Sequence, residues 1–196
     1  MRVEVTPEVV RAAFDAVKND PSFDESRGLT ERGLMPVEML QAMSLRPEIM
    51  RAFGGFGDCV YPGGLLERRI KELVIITASR GNDCQFCLNA HCDLVQVEDI
   101  IDDPIGLLDD PAASMTQRER VAVDYTRAVM ADSNRIPDKI ASELKSLFSD
   151  PEIVELTFLI GYINMLNLFN NALNVRYHGD YGALATTPQA TVGPRR

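Results

Sequence analysis

The sequence predicts an all-α protein, and three observations carry that prediction. Apolar residues recur at helical spacing in one segment after another, from Val9 to Leu173. Most of these segments open on a Pro or a capping residue, and several close at Gly or Pro. No strand pattern competes with them, since the alternation Val3-Glu4-Val5 is too short to count.

Thr6-Pro7 is an N-cap and first-turn signal, and Val9, Val10, Ala13, Phe14 and Val17 follow on one apolar face before Asp20-Pro21 stops the helix. Residues 20–34 are polar, contain Gly and Pro, and read as a connecting loop or lid. Pro36 and Pro47 each begin a short helix, the second expected to end at Gly54, Gly55 and Gly57 before the turn Tyr61-Pro62-Gly63-Gly64. Leu65 to Arg80 is a strong helix with Leu66, Ile70, Leu73, Val74 and Thr77 on a shared face and Gly81 expected just past its end. Asp83 reads as the N-cap of the next helix, putting Cys84 at its first position, and this helix runs to about Val97. Residues 104–115 read as a loop. Thr116-x-x-Glu119 is a capping box, Pro137 opens a further helix, and Asp150-Pro151-Glu152 starts a long last one near 151–175. The sum is seven or eight helices in a single domain over 1–182, with 183–196 expected to be a flexible tail.

A chain of 196 residues with 45% hydrophobic content can bury a real core. A net charge of −9 weighs against nucleic acid and anionic membrane as partners. No unbroken run approaches the roughly 18 apolar residues of a spanning helix, and the charged N-terminus lacks a signal-peptide core, so a cytoplasmic protein is expected. Cysteines stand at 59, 84, 87 and 92. In a reducing compartment the Cys84-x-x-Cys87 pair reads as redox-active or metal-binding rather than as a disulfide scaffold.

The chemistry concentrates between Glu72 and His91. If 65–80 and 84–97 form an antiparallel hairpin turning near Gly81-Asn82, Glu72 and His91 lie about equally far from the bend, hence level with each other. Cys87 and His91 are four apart and share a helical face, while Cys84 and Cys87 are three apart, close enough for a disulfide. A thiolate, not a thiol, attacks a peroxide or a disulfide. The helix start favours negative charge on the cysteines, His91 is placed to take the Cys87 proton, and Glu72 to orient His91. Cys87 oxidised to a sulfenic acid would then condense with Cys84, and an external dithiol would reduce the product.

Each residue taken alone has a plainer explanation. A buried helical Glu is commonly an ion-pair partner, and a lone helical His is commonly packed or exposed. A zinc-binding or redox-sensing interaction module would use Cys84, Cys87 and His91 as three ligands, with Glu72 as a fourth. Redox chemistry is favoured because a chain with this much core has little need of a metal staple.

The pattern E-x11-C-x-x-C-x3-H, matched by Glu72, Cys84, Cys87 and His91, resembles that of the AhpD-like alkylhydroperoxidases in the carboxymuconolactone decarboxylase superfamily. The resemblance is sharp over residues 65–95 and extends more loosely to the flanking helices, as in the peroxidase-related members. It implies an AhpD-like helical bundle and a peroxidase in which Cys87 attacks the hydroperoxide and Cys84 is the proton donor and resolving thiol. Glu72 and His91 would be the proton relay. It further implies a homo-oligomer (dimer, trimer or hexamer) and a dithiol reductant of the lipoyl-adaptor type, with no cofactor. Phe86 departs from relatives that carry a His before the second cysteine. The decarboxylase branch lacks the cysteine pair, which disfavours decarboxylation. Another small-molecule reaction on the same fold is the remaining alternative.

The last helix carries Asn164, Asn167, Asn171 and Asn174 as a polar stripe with Asn170 beside it, and the stripe is expected to hydrogen-bond at a helix or subunit interface. Cys59 and Cys92 read as packed thiols and His178 as a surface or turn residue. If the segment from Phe53 to Tyr61 covers the cysteines, Phe56 is expected among the residues that favour organic peroxides.

Overall fold

The computed structural model describes residues 1–20, 23, 35–110 and 114–179. The expected lid at 20–34, apart from Asp20 and Phe23, and the expected tail at 183–196 lie outside the described residues. Among the described residues there are nine α-helices and no strand: α1 Pro7–Ala16, α2 Glu38–Ser44, α3 Pro47–Val60, α4 Arg68–Gly81, α5 Gln85–Val97, α6 Pro104–Asp109, α7 Gln117–Asp132, α8 Asp138–Leu147 and α9 Asp150–Leu173.

α4 is the centre of the bundle. Every residue from Ile70 to Ser79 is buried, because α5, α7 and α9 pack around the helix. A helix enclosed on all sides is normally apolar all round. Here two apolar clusters divide it: Ile70, Val74, Ile75 and Ala78 face a core shared with α1, α2, α3 and α9. Leu73 and Ile76 face a smaller one with Val95, Leu107, Leu108 and Val123. Leu73, Val74 and Ile76 are fully buried, each contributing about 1.5–3 kcal/mol relative to exposure.

Thr6 caps α1 and the capping box Thr116–Glu119 opens α7, as expected, while α9 is opened by a further capping box, Ser149–Glu152, just before the expected start. Four local readings change. α3 runs through Gly54, Gly55 and Gly57 to Val60, as its packing outweighs the modest cost of glycine in a helix. Gly81 belongs to α4, and the turn is made by Asp83 in the left-handed region at φ 51°, which leaves Cys84 as the N-cap of α5 rather than its first helical residue. Pro137 likewise is the N-cap of α8. Within the stretch expected as a loop, Asp103 caps the short helix α6, whose Leu107 and Leu108 are buried.

By length and average composition α9 is long and apolar enough to cross a membrane, although much of it is buried inside the bundle. Its Asn residues fasten it to the α4–α5 turn. The Asn82 side chain donates to Asn164 Oδ1 (2.8 Å) and Asn167 Oδ1 (3.0 Å), Asn171 donates to Asn82 O (3.0 Å), and Asn167 donates to Ser79 Oγ (3.1 Å). Asn174 ends the helix in the left-handed conformation.

Candidate active site

The α4–α5 hairpin brings Glu72 and His91 together. Glu72 is fully buried, and its Oε2 lies 2.7 Å from His91 Nδ1. Its other oxygen, Oε1, accepts from Tyr61 Oη at 2.7 Å and from Arg68 Nε at 2.7 Å, while Arg68 Nη2 donates to Tyr61 Oη at 2.9 Å. Burial pushes the Glu72 carboxyl up, but His91, Arg68 and Tyr61 together outweigh it and hold it below the ordinary value. Glu72 is therefore a carboxylate, and its hydrogen bonds orient the imidazole.

The two thiols are free, and both are buried. They hydrogen-bond to each other, which divides their ionisation unequally. Cys84, accepting from Cys87 and supported by Asn167, is drawn down to about 7. Cys87, donating to Cys84 and buried, is pushed far up, against the pull of Asn170 and Asn167. The two thiols are thus inequivalent, with the contact between them favouring negative charge on Cys84 over Cys87. This corrects the expectation that the helix start and His91 depress Cys87. Among the described residues His91 makes no hydrogen bond to Cys87, and the helix N-cap is Cys84 itself.

Cys87 and His91 share a cavity of about 110 Å³. Its walls are otherwise apolar or aromatic, among them Met39, Phe53, Tyr61, Ile75, Phe86 and Tyr162. Cys84 is fully buried and does not line it. The arrangement offers one sulfur to a small apolar molecule and keeps the other behind it. The four residues singled out in the sequence therefore form two contacts, Glu72–His91 and Cys84–Cys87, with the cavity between them. They do not converge as a metal site, since among the described residues no three His, Cys, Asp or Glu side chains are placed to hold an ion.

The residues 47–102 match the carboxymuconolactone decarboxylase family. A protein of unknown function from Agrobacterium tumefaciens, named a putative antioxidant defence protein AhpD, is 28% identical, with a TM-score of 0.62 over 70% of this chain and 95% of that one. An uncharacterised peroxidase-related protein from Ralstonia eutropha JMP134 with an alkylhydroperoxidase AhpD core is 18% identical, with a TM-score of 0.68 over 96% of this chain and 97% of that one. The debrominase Bmp8 is 20% identical, with a TM-score of 0.69 over 87% and 91% of the two chains. The last two likenesses are likenesses of fold. Over residues 47–102 the chain thus matches the carboxymuconolactone decarboxylase family, and its fold is AhpD-like.

Several residues of this site were not singled out from the sequence. Tyr61 and Arg68 complete the hydrogen bonding of Glu72, and Asn170 donates to Cys87 Sγ at 3.2 Å. The signal for Asn170 was present: an amide in a helix of large apolar side chains must find a buried partner. Tyr61 carried no such signal, because its reach to Glu72 depends on how the 61–67 segment folds back on α4. Phe86 lines the cavity and meets Tyr177 edge to face, with ring centroids 6.1 Å apart. Phe56 instead faces outward, 40% exposed, against Phe158 and Tyr162, so it is no part of the cavity wall. Cys92 is half-buried and burial pushes it up to about 11, whereas Cys59 is exposed rather than packed. His178 is on the surface, 2.9 Å from Glu38.

Proposed function

We propose that the chain reduces hydroperoxides through a dithiol–disulfide cycle at Cys84 and Cys87. The observation that carries this reading is the cavity in which Cys87 and His91 meet, with Glu72 behind the imidazole and Cys84 behind the thiol. The charge on the pair moves from Cys84 to Cys87 when the shared proton crosses the hydrogen bond between them. The Cys87 thiolate then attacks the terminal oxygen of the hydroperoxide. The S–O bond forms, the O–O bond breaks, and the alkoxide leaves with a proton supplied by His91 or Cys84. Cys84 displaces hydroxide from the sulfenic acid, giving a disulfide and, after protonation, water. An external dithiol, such as a lipoyl-type adaptor, restores both thiols by exchange. Neutral, apolar hydroperoxides suit walls built from Met39, Phe53 and Phe86.

Stopped-flow oxidation of wild type and Cys87→Ser by hydrogen peroxide and an organic hydroperoxide tests the reading. Wild type is expected to lose two thiols per peroxide, at a rate rising through pH about 7 as the Cys84–Cys87 pair ionises. Cys87→Ser is expected to show no rapid oxidation; equal rates in both would remove Cys87 from the chemistry.

The aromatic cavity walls also favour a second reading, reductive attack on another small apolar electrophile, the debrominase among the structural neighbours being a protein of the same fold. Halide release from a bromoaromatic, without peroxide consumption, would establish it instead.

A further inference from the structure

Asn170 is the buried polar group closest to the reacting sulfur that the mechanism above leaves unused. Its side chain is 1% exposed, in the wall of α9 facing the start of α5. Both amide hydrogens point at sulfur: Nδ2 lies 3.2 Å from Cys87 Sγ and 3.6 Å from Met39 Sδ. Among the described residues its oxygen, Oδ1, is buried with no hydrogen-bond partner. Neutral sulfur is a weak acceptor, and a buried oxygen without a donor is unfavourable, so the amide is poorly satisfied while Cys87 is a resting thiol. Both deficits are relieved by the chemistry of Cys87. A thiolate is a far better acceptor for Nδ2 than a thiol, and a sulfenic acid brings an O–H that Oδ1 can accept.

We infer that Asn170 is a catalytic residue, its amide donating to the Cys87 thiolate during attack and accepting from the Cys87 sulfenic acid formed by it. The inference rests on the peroxidase reading only in its second half, because the donation to the thiolate is independent of what the thiolate attacks. The donor on Cys87 Sγ favours negative charge on the sulfur that lines the cavity and that substrate can reach, rather than on Cys84, which does not line it. No atom is gained or lost in this role: the proton crosses from Cys87 to Cys84 before the attack, and the oxygen on Cys87 comes from the hydroperoxide.

Two substitutions at Asn170 in a Cys84→Ser background separate the two halves, since Cys87 then ionises alone. Asn170→Ala removes donor and acceptor, whereas Asn170→Asp removes the donor, keeps the acceptor and adds a negative charge. The pH midpoint of Cys87 alkylation is expected to rise in the order Asn, Ala, Asp, and the rate with hydrogen peroxide at pH 7 to fall by about 10- to 100-fold in the Ala variant. The lifetime of the sulfenic acid, read by delayed dimedone trapping after a peroxide pulse, is expected to shorten in Ala and to be retained in Asp. The two readouts therefore rank the variants oppositely, which mere loss of packing would not do. The same ranking in both, or an unmoved alkylation midpoint, would overturn the assignment. A Cys84→Ser parent that alkylates normally at Cys87 but yields no sulfenic acid would overturn the peroxidase reading and the second half of this one, leaving the alkylation midpoints to decide the first. With Asn170 intact, its side-chain amide NMR resonances are expected to shift through the alkylation midpoint. Fixed resonances would overturn the contact without any substitution at 170.

Discussion

Lys71 and Glu72 stand side by side on α4, both fully buried and both ion-paired, yet they serve different ends. Lys71 pairs with Glu155 at 2.8 Å and donates to Gly63 O, while Glu155 accepts from the backbone of Leu65 (2.5 Å) and Leu66 (3.1 Å). Every bond in this cluster ends on backbone or on its own partner, and it fastens the 63–66 segment to α9. Gly64 sits inside it at φ 102°, where a Cβ would lie 2.3 Å from Glu155 Oε1. The Glu72 cluster is open by contrast: its last member, His91, lines a cavity beside a thiol. Burial and pairing are common to the two, so neither marks function. What distinguishes the candidate site is that its hydrogen-bond chain ends at a cavity lined by a thiol.

Lys71→Met is the largest test of that difference. It leaves the largely buried Glu155 without its cation and removes a buried pair, and denaturant unfolding is expected to show a loss of about 3 kcal/mol. Peroxide turnover by the molecules that remain folded is expected to change little, and a specific loss of turnover would erase the distinction between the two clusters. Glu72→Gln should do the reverse. The amide keeps the size and the acceptor for Tyr61 and Arg68, so stability is expected to fall by only about 1–2 kcal/mol. The peroxide rate is expected to drop about 100-fold as His91 loses its orienting carboxylate. Rates within twofold of wild type would take Glu72 out of the relay.

Acid titration gives the smallest effect. Glu72 and Glu155 are both held below the ordinary glutamate value of 4.5, against the opposing effect of burial. A carboxyl lowered in the folded state stabilises the fold above its unfolded value, and that contribution is lost as pH falls through the folded one. Stability is therefore expected to decline below about pH 4.5, with a shallower decline in Glu72→Gln than in wild type. Identical acid limbs would mean that Glu72 is no better stabilised in the fold than in the unfolded chain.

The sequence by itself determined the all-α class, the capped starts of α1, α7 and α9, and the level placement of Glu72 and His91. Each follows from short-range rules: helical period, capping chemistry and a fixed rise per residue. The boundaries it misplaced, at Gly57 and Gly81 and in the 104–115 stretch, are those where packing of α3, α4 and α6 outweighs local propensity. Only the tertiary structure decided that the two thiols differ, since that depends on the contact between Cys84 and Cys87 and on amides from a helix more than 80 residues away. It also decided that Tyr61 and Arg68 surround Glu72, that Phe86 faces the cavity and Phe56 does not, and that one of four Asn residues on α9 meets Cys87. Such relations are set by how the 61–67 segment and α9 pack on α4. A helical period states which face a residue occupies, but not what the fold brings to that face.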